Sequence, residues 1–536
     1  MDRRKFLGLG GAALLQPSGV EAVAQTNRSS AAAPAQHRTA QARPNILMVM
    51  ADQLRVDCVG AYGNKAIRTP NLDRIAREGI RFQNAYTSTP SCTPARTALM
   101  TGLSPWGHGM LGYSNMTTRP YPVEKASALA KAGYYTTAVG KNHYYPITNP
   151  HGYHHMVTDE HCSYWFHKRT GNQMQSYEPR CDYESWFWSQ RPDADPHATG
   201  LGWNDQPAKP FVYPEELHAT HWTGTTAERF LQQYDREEPF FLKVSFIRPH
   251  SPYDPPKRLF DSYLHADLPK ARVGAWAGKY APLSSDQDDR WHGKLSDEEI
   301  HRSRAGYYAS VTFVDEQVGR LLAVLEERGM LDDTMIVFFS DHGDMLGDQN
   351  LWRKAYAYEQ SAHIPLLLRP ARMQQLGSSG QTFEQPVEIR DLLPTFLDAA
   401  GAEVPSSMEG KSLLQLVRGK GQGWRQWIDL EHNITYDATN HWNALTDGKW
   451  KYIFHAYNGD EQLFDLTSDP EEATDLSKDL KYASEFEIWR QRMVEHLSVR
   501  GPLWVKDGKL MVREKGQLLG PNFPGYAAEK EIAGWI

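Results

Sequence analysis

Residues 44–53 read "PNILMVMADQ": six apolar side chains in a row that run straight into an acid and an amide. A run this short and continuous, bounded by turn formers, suits a strand buried on both faces of a parallel sheet. Three further runs repeat the pattern. "YYTTAVGKNH" (134–143) ends in Lys141 and His143, and "PFFLKVSFIRPH" (239–250) ends in Arg248 and His250. "DTMIVFFSDHGD" (333–344) ends in Asp341, His342 and Asp344. Four strands, each followed by chemically capable residues, define the fold expectation.

Helical segments lie between them. "LSDEEIHRSRAGYYASVTFVDEQVGRLLAVLEERGM" (295–330) opens with the capping pair Ser296 and Glu299, and Gly329 supplies a stop. Its apolar positions Val311, Val314, Val318, Leu321, Leu322 and Leu325 recur at helical spacing. "NLDRIAREGI" (71–80) is a shorter amphipathic helix. Alternating strands and helices predict an α/β fold, a large, mainly parallel mixed sheet covered on both faces. Ligands of such sheets bind beyond the carboxyl ends of the strands, so the four polar clusters are expected on one edge, around one site.

After about residue 424 the texture changes to short alternating runs, "QWIDLEH", "HWNALTDG", "WKYIFHAY" and "EQLFDLTSDP", split by Asp-Gly and Asn-Gly turns. These predict an antiparallel meander, followed by the helical "SEFEIWRQRMVEHL", in a small C-terminal α+β domain over 424–536. The Trp- and Tyr-rich segments 153–222 and 272–292 fit neither pattern and are expected to be long loops over the site.

The chain has 536 residues, 40% of them hydrophobic, and a net charge of −7. That balance offers no basic stripe for nucleic acid and no polybasic patch for a membrane surface. At the N-terminus, Arg3 and Arg4 precede a short glycine-rich apolar run, and Ala22-Val23-Ala24 offers a small-residue cleavage site. Residues 1–24 resemble a bacterial twin-arginine export signal, with no stable membrane anchor, and 25–43 read as a disordered lead-in to a main domain over 44–423. Periplasmic or secreted placement is therefore expected. Export permits disulfides, and Cys162 and Cys181 are a plausible pair.

The clusters carry a common chemistry. Asp52 and Asp341, with Gln53 and His342 beside them, offer two negative charges and a mostly oxygen donor set for one divalent cation. Ca²⁺ or Mg²⁺ fits hard oxygen ligands, and the histidine nitrogen leaves Mn²⁺ or Zn²⁺ open. Arg96, Lys141 and Lys354 could converge as an anion trap for a tetrahedral oxyanion. His143 and His250 are candidate proton carriers. Asp344 is expected behind the ligands rather than among them. Each residue alone has a structural reading, as a helix cap, a surface cation or a packed histidine; their grouping at strand ends favours the site.

Cys92 decides among chemistries. "SCTPARTALMTG" (91–102) places it before Pro94 and Arg96, with Leu99 and Thr101-Gly102 following. This matches the C-x-P-x-R…L-x-T-G signature and resembles the type I, formylglycine-dependent sulfatases of the alkaline phosphatase-like superfamily. "GYYTTAVGKNH", "ADQLRVDCVGAYGN", "TPNLDRIAREGIRFQNAY" and "SDHGDMLGDQNLWRK" resemble the family's other blocks, in the same order, over residues 44 to about 470. The resemblance implies that Cys92 is oxidised to formylglycine by a maturing enzyme and hydrates to a geminal diol. One hydroxyl then attacks sulfur, and the second expels sulfate by collapsing to the aldehyde, an exit that a serine ester lacks. It further implies that Asp52, Gln53, Asp341 and His342, with the modified Cys92, hold one metal, Ca²⁺ before Mg²⁺ or Mn²⁺. By the same resemblance Arg96 steadies the modified side chain, Lys141 and Lys354 grip sulfate, His143 serves as base and His250 helps protonate the leaving oxygen.

The implied activity is hydrolysis of aryl or carbohydrate sulfate esters. Phosphonate monoester or phosphodiester hydrolysis on the same scaffold is the alternative, and a non-catalytic binding protein would lack site residues that are all present here. Gln53 and Asn142 depart from the family pattern, where a second acid and a bulky residue are usual. "HGYHHMVTDEHCSYWFHKRTG" (151–171) holds five histidines at no ligand spacing, and these are expected to line or rim the pocket. Trp165, Trp186, Trp188, Trp203, Trp276 and Trp291 could stack on a substrate ring or pin the loops.

Overall fold

A computed structural model describes residues 43–115, 119–160, 181–285, 290–377 and 379–526. The expected leader and all but the last residue of the lead-in lie outside these, as do Trp165 and Cys162, and with Cys162 the pairing expected with Cys181.

The four apolar runs form strands β1 (Asn45–Asp52), β4 (Tyr135–Gly140), β6 (Phe240–Pro249) and β7 (Thr334–Ser340). They are neighbours in an eight-stranded sheet of order β5-β4-β6-β1-β7-β8-β2-β9. The other members are β2 (Ile80–Phe82), β5 (His155–Thr158), β8 (Leu366–Arg369) and β9 (Gln381–Phe383). The five strands from β5 to β7 run parallel; β8 is antiparallel to both β7 and β2. The mixed, mainly parallel sheet is therefore as the sequence predicts.

Side chains alternate across each strand. Leu47, Val49, Leu242, Val244, Ile336 and Phe338 share one face with the helices Ala219–Gln233 and Asp297–Glu327. Ile46, Met48, Met50, Phe241, Met335 and Val337 share the other with Cys92–Thr101 and Leu392–Ala399. Burial on both faces explains why these strands read as unbroken apolar runs. The long helix starts at the Ser296–Glu299 capping box and is followed by Gly329 at φ 63°.

The meander is also present. Strands β11 (Ile428–His432), β12 (Trp442–Thr446), β13 (Trp450–His455) and β14 (Asp460–Asp465) pair antiparallel in sequence order, with Gly448 and Gly459 at positive φ in the turns. A small parallel pair, β3 (Ala85–Tyr86) with β10 (Val387–Glu388), stands apart from both sheets. One face of the meander packs Ile428, Leu430, Trp442 and Phe464 against Met345, Leu351 and Tyr356 of the main body. The other packs Leu445, Tyr452 and Leu463 against Trp489, Met493 and Leu497 of the helix Ala483–Ser498.

The loop expectation for 153–222 needs correcting. It contains edge strand β5, the helix Asp182–Gln190 and the start of the helix Ala219–Gln233. "DYESWFWSQ" hid its helix because aromatic rings occupy nearly every face: Tyr183 and Phe187 are buried, and Trp186 and Trp188 pack beside them.

Candidate active site

Register brings the four strand ends level. Gly140 lies opposite Ser245, and Ala51 sits between Phe246 and Ser340. Lys141 and Asp341 follow directly on the last residues of β4 and β7, and Asp52 and His250 stand at the ends of β1 and β6 on the same edge. A register shift between Ala51 and Asp52 turns the chain there, and Gln53 takes a left-handed φ of 67°. His143 follows at φ 59° and Arg353 at φ 69°, a clustering of strained non-glycine residues typical of functional sites.

Cys92 is the first residue of the helix Cys92–Thr101, and Pro94 sits in its first turn, where a missing N–H breaks no helical bond. The helix points its positive end at the strand edge. Arg96, four residues on, shares the face of Cys92, which is the physical content of the C-x-P-x-R spacing. Cys92 Sγ lies 3.2 Å from His342 Nε2, 3.6 Å from Asp52 Oδ1 and 3.8 Å from Lys141 Nζ. Arg96 is 2% exposed; its Nε donates to Asp341 Oδ2 at 2.9 Å, and its terminal nitrogens donate to Asp52, to the Lys141 carbonyl and to Ser245 Oγ. Lys141 Nζ also donates to Asp52.

On the other flank, Lys354 Nζ donates to Gln53 Oε1 at 2.8 Å and meets His250 Nε2 at 2.6 Å. Gln53 Nε2 donates to Asp344 Oδ2 at 2.6 Å, a carboxylate that also accepts from Tyr253 and from the backbone of Leu346 and Arg353. Asp344 thus stands behind the site, as expected. His143 faces Tyr113, Nε2 to hydroxyl 3.3 Å, and its buried Nδ1 has no hydrogen-bond partner. Glu160 accepts from the backbone N–H groups of Asn142 and His143 and so fixes that turn.

Charge sets the protonation states. Burial pushes the Asp52 carboxyl up, but Lys141, His250 and Arg96 outweigh it and hold it well below the usual carboxylate range. Burial and Asp52 also push the Cys92 thiol up, yet Lys141, Lys354 and His342 bring it down to about 6. Burial, reinforced by Lys141, lowers His143 to about 3 and keeps it neutral. Burial and Lys354 do the same for His250.

The donor atoms of Asp52, Cys92, Asp341 and His342 all lie within 4.8 Å of one another. His342 Nδ1 lies 3.0 Å from the Gly343 carbonyl; donating a proton there leaves the Nε2 lone pair facing the cluster. Burial, and then the neighbouring Asp52 charge, push Asp341 up. Two crowded carboxylates and an imidazole nitrogen fit a divalent cation, whose charge would relieve that repulsion. Gln53 lies beside these four, with its amide oxygen already held by Lys354.

These groups form the floor of a cavity of about 840 Å³ whose lining includes Cys92, Lys141, His143, His250 and Lys354. Trp203 lines it too, its ring 4.6 Å from that of His250. The other described tryptophans pin segments: Trp186 and Trp188 pack with the helix Asp182–Gln190, and Trp276 and Trp291 pack against the meander side. The described histidines of the 151–171 segment stand away from the cavity, a second correction. His151 meets Glu124 and Tyr144, His154 meets Thr136 and Tyr135, and His155 is exposed on the edge strand; none of the three lines the cavity. His161 and His167 lie outside the described residues. Tyr113, Arg353 and Tyr436 line the cavity without having been singled out; the last two sit in strained turns, a signal visible only in three dimensions.

Comparison with known proteins gives the family. The Sulfatase family model matches residues 44–402, and the model of the N-sulphoglucosamine sulphohydrolase C-terminal region matches 347–506. The chain belongs to the sulfatase family and is a hydrolase of sulfuric esters. It is 38% identical over 471 residues to an arylsulfatase of Clostridium perfringens, covering 88% of this chain and 97% of that protein. It is 31% identical to a choline-sulfatase of Rhizobium meliloti, covering 81% and 83%. The fold is shared with the crystal structure of a phosphonate monoester hydrolase of Agrobacterium radiobacter, at a TM-score of 0.70 and 24% identity over 88% of this chain and all of that one.

Proposed function

We propose that this protein hydrolyses aryl or carbohydrate sulfate esters with Cys92 converted to formylglycine and one divalent ion held by Asp52, Asp341 and His342. Ca²⁺ is the first choice of ion, with Mg²⁺ and Mn²⁺ as alternatives, and Gln53 is placed at the edge of the ligand set. The observation that carries the reading is the position of Cys92 Sγ: at a helix N-terminus, 3.2 Å from His342 Nε2 and 3.8 Å from Lys141 Nζ. When bound, the ion supplies a Lewis acid that favours ionisation of a hydroxyl at neutral pH.

The chain's own residues do the rest. Lys141 and Lys354 flank Cys92 and hold the sulfate oxygens by charge-assisted hydrogen bonds. Arg96, locked by Asp52, Asp341 and Ser245, fixes the helix turn that carries Cys92. His143, neutral through burial, can take a proton from the hydrated side chain. The Lys354–His250 pair delivers one to the departing oxygen.

The test is to purify the protein from its natural host. The mass of the peptide containing Cys92 is measured, along with sulfate release from a nitrophenyl sulfate. The expected result is a residue in which carbonyl oxygen has replaced the thiol, with sulfate released. An unmodified cysteine in a protein that cleaves a nitrophenyl phosphonate faster than the sulfate would overturn it. We also propose export through the Arg3–Arg4 leader; replacing both arginines by lysine should retain the protein in the cytosol.

A further inference from the structure

The cavity's far walls come from two segments that the reaction itself does not need. One is the turn after β11, where Ile434 and Tyr436 take left-handed φ values of 45° and 69°. A β-branched residue at such a φ is a marked outlier. The other is the tail, which supplies Leu518, Leu519 and Tyr526 to the lining.

The tail is built into the body. Leu111 N donates to the Leu518 carbonyl at 2.9 Å, Asn433 Nδ2 to the Gln517 carbonyl at 2.8 Å, and Gly520 N to Gly109 at 2.6 Å. Two glycines let the pieces touch. A Cβ on Gly112 would stand 2.2 Å from the Asn433 carbonyl oxygen and 2.8 Å from Leu518 Cδ2, and one on Gly516 would stand 2.7 Å from Ile434 Cγ1. Backbone contact this close cannot give way to a side chain.

The chemistry of these walls differs from that of the floor. Beyond Lys141 and Lys354, the lining cation is Arg353, whose guanidinium lies 4.2 Å over the Tyr436 ring, and the lining acid is Asp437. Ile434, Leu518, Leu519, Tyr436 and Trp203 offer apolar and aromatic surface. Among the described residues, these walls offer an extended polyanion no row of cations. A flat apolar ring would be sandwiched.

We infer that the tail 516–526 and the 434–437 turn form the leaving-group subsite, which selects sulfate esters of a single aromatic or similarly flat apolar ring over extended sulfated chains. This rests on the reading of the floor as a sulfate site. Leu518 carries the test, because it is half-buried and the tail is held there through its backbone oxygen. Steady-state constants would be measured for wild type, Leu518→Ala and Leu518→Met on 4-nitrophenyl sulfate, on 4-nitrophenyl phosphonate and on a sulfated tetrasaccharide.

Wild type should prefer nitrophenyl sulfate to the tetrasaccharide by about a hundredfold or more in kcat/KM. Leu518→Ala should raise KM for the nitrophenyl ester about tenfold with kcat within about twofold, while inhibition by inorganic sulfate stays unchanged. Leu518→Met, of similar volume, should behave as wild type. Equal or better use of the tetrasaccharide, or an unchanged KM in Leu518→Ala, would overturn the inference. Cleavage of the phosphonate but not the sulfate would instead sink the sulfatase reading. The KM shift on the shared nitrophenol leaving group would still decide the subsite.

Discussion

Lys354 Nζ stands 2.6 Å from His250 Nε2, while His250 Nδ1 lies 2.7 Å from the Ser251 carbonyl. With a proton on Nδ1 donated to that carbonyl, Nε2 presents its lone pair to the ammonium, and the two nitrogens share one proton between them. Burial and then the Lys354 charge lower His250, and burial with the Lys141 and Arg353 charges lowers Lys354, both below their ordinary values. A donor weakened in this way gives up its proton more readily than a free lysine would.

His250→Ala should therefore slow esters of poorly acidic alcohols about 10²–10⁴-fold in kcat. It should slow nitrophenyl sulfate much less, because nitrophenolate departs without protonation. A plot of log kcat against leaving-group pKa checks this: the variant's slope should be steeper. Parallel lines would remove His250 from the proton path.

Arg96 separates two buried carboxylates. Arg96→Ala leaves Asp52 and Asp341 without their shared partner and should destabilise the metal-free protein by about 3–5 kcal/mol. Urea unfolding with and without a divalent salt reads the effect, and the loss should shrink when the ion is present. Sulfate release should be lost in both conditions.

Dialysis against a chelator should abolish sulfate release and lower Tm. An added ion at a hundred times its Kd should restore about 2.7 kcal/mol of stability together with activity. Comparing Ca²⁺, Mg²⁺ and Mn²⁺ in both assays ranks the ions. Full activity after exhaustive chelation would contradict the ligand cluster.

Behind the site, Lys125 is buried against Met48 and Phe241, and burial first, then Arg96, lowers its amine from 10.5 to about 7. The unfolded chain holds that proton more tightly, so the penalty is complete below about pH 7 and relaxes as pH climbs towards 10.5. Lys125→Met should raise Tm at pH 6–7 by about 2–4 °C, with the gain fading towards pH 10. Differential scanning calorimetry across that range checks the sign.

How far the sequence carried can be judged residue by residue. Strands β1, β4, β6 and β7 were legible because burial on both faces demands unbroken apolar runs. Their exits were legible because buried polar groups follow the apolar run. Asp52, Lys141, His250 and Asp341 are all residues of that kind. Lys354 lies in a loop without periodicity; it could be offered as one cation of an anion trap, and the family resemblance gave it the sulfate-gripping role. The helix Asp182–Gln190 escaped because Tyr183, Trp186, Phe187 and Trp188 satisfy no single face. The tail escaped for a different reason: Leu518 acquires its role by touching Leu111 and Gly112, contacts across long stretches of chain that leave no local pattern.

The involvement of Leu518 also fixes an order of events. Cys92 leaves the ribosome long before Leu518, yet both line one cavity. The mouth of the pocket thus stays unfinished until Leu518 has been synthesised. Loop-closure entropy across that whole separation must be overcome before the final wall seats. A nascent chain would pass through a stage with a folded sheet and an open, unselective cleft, which the arrival of residues 516–526 then seals.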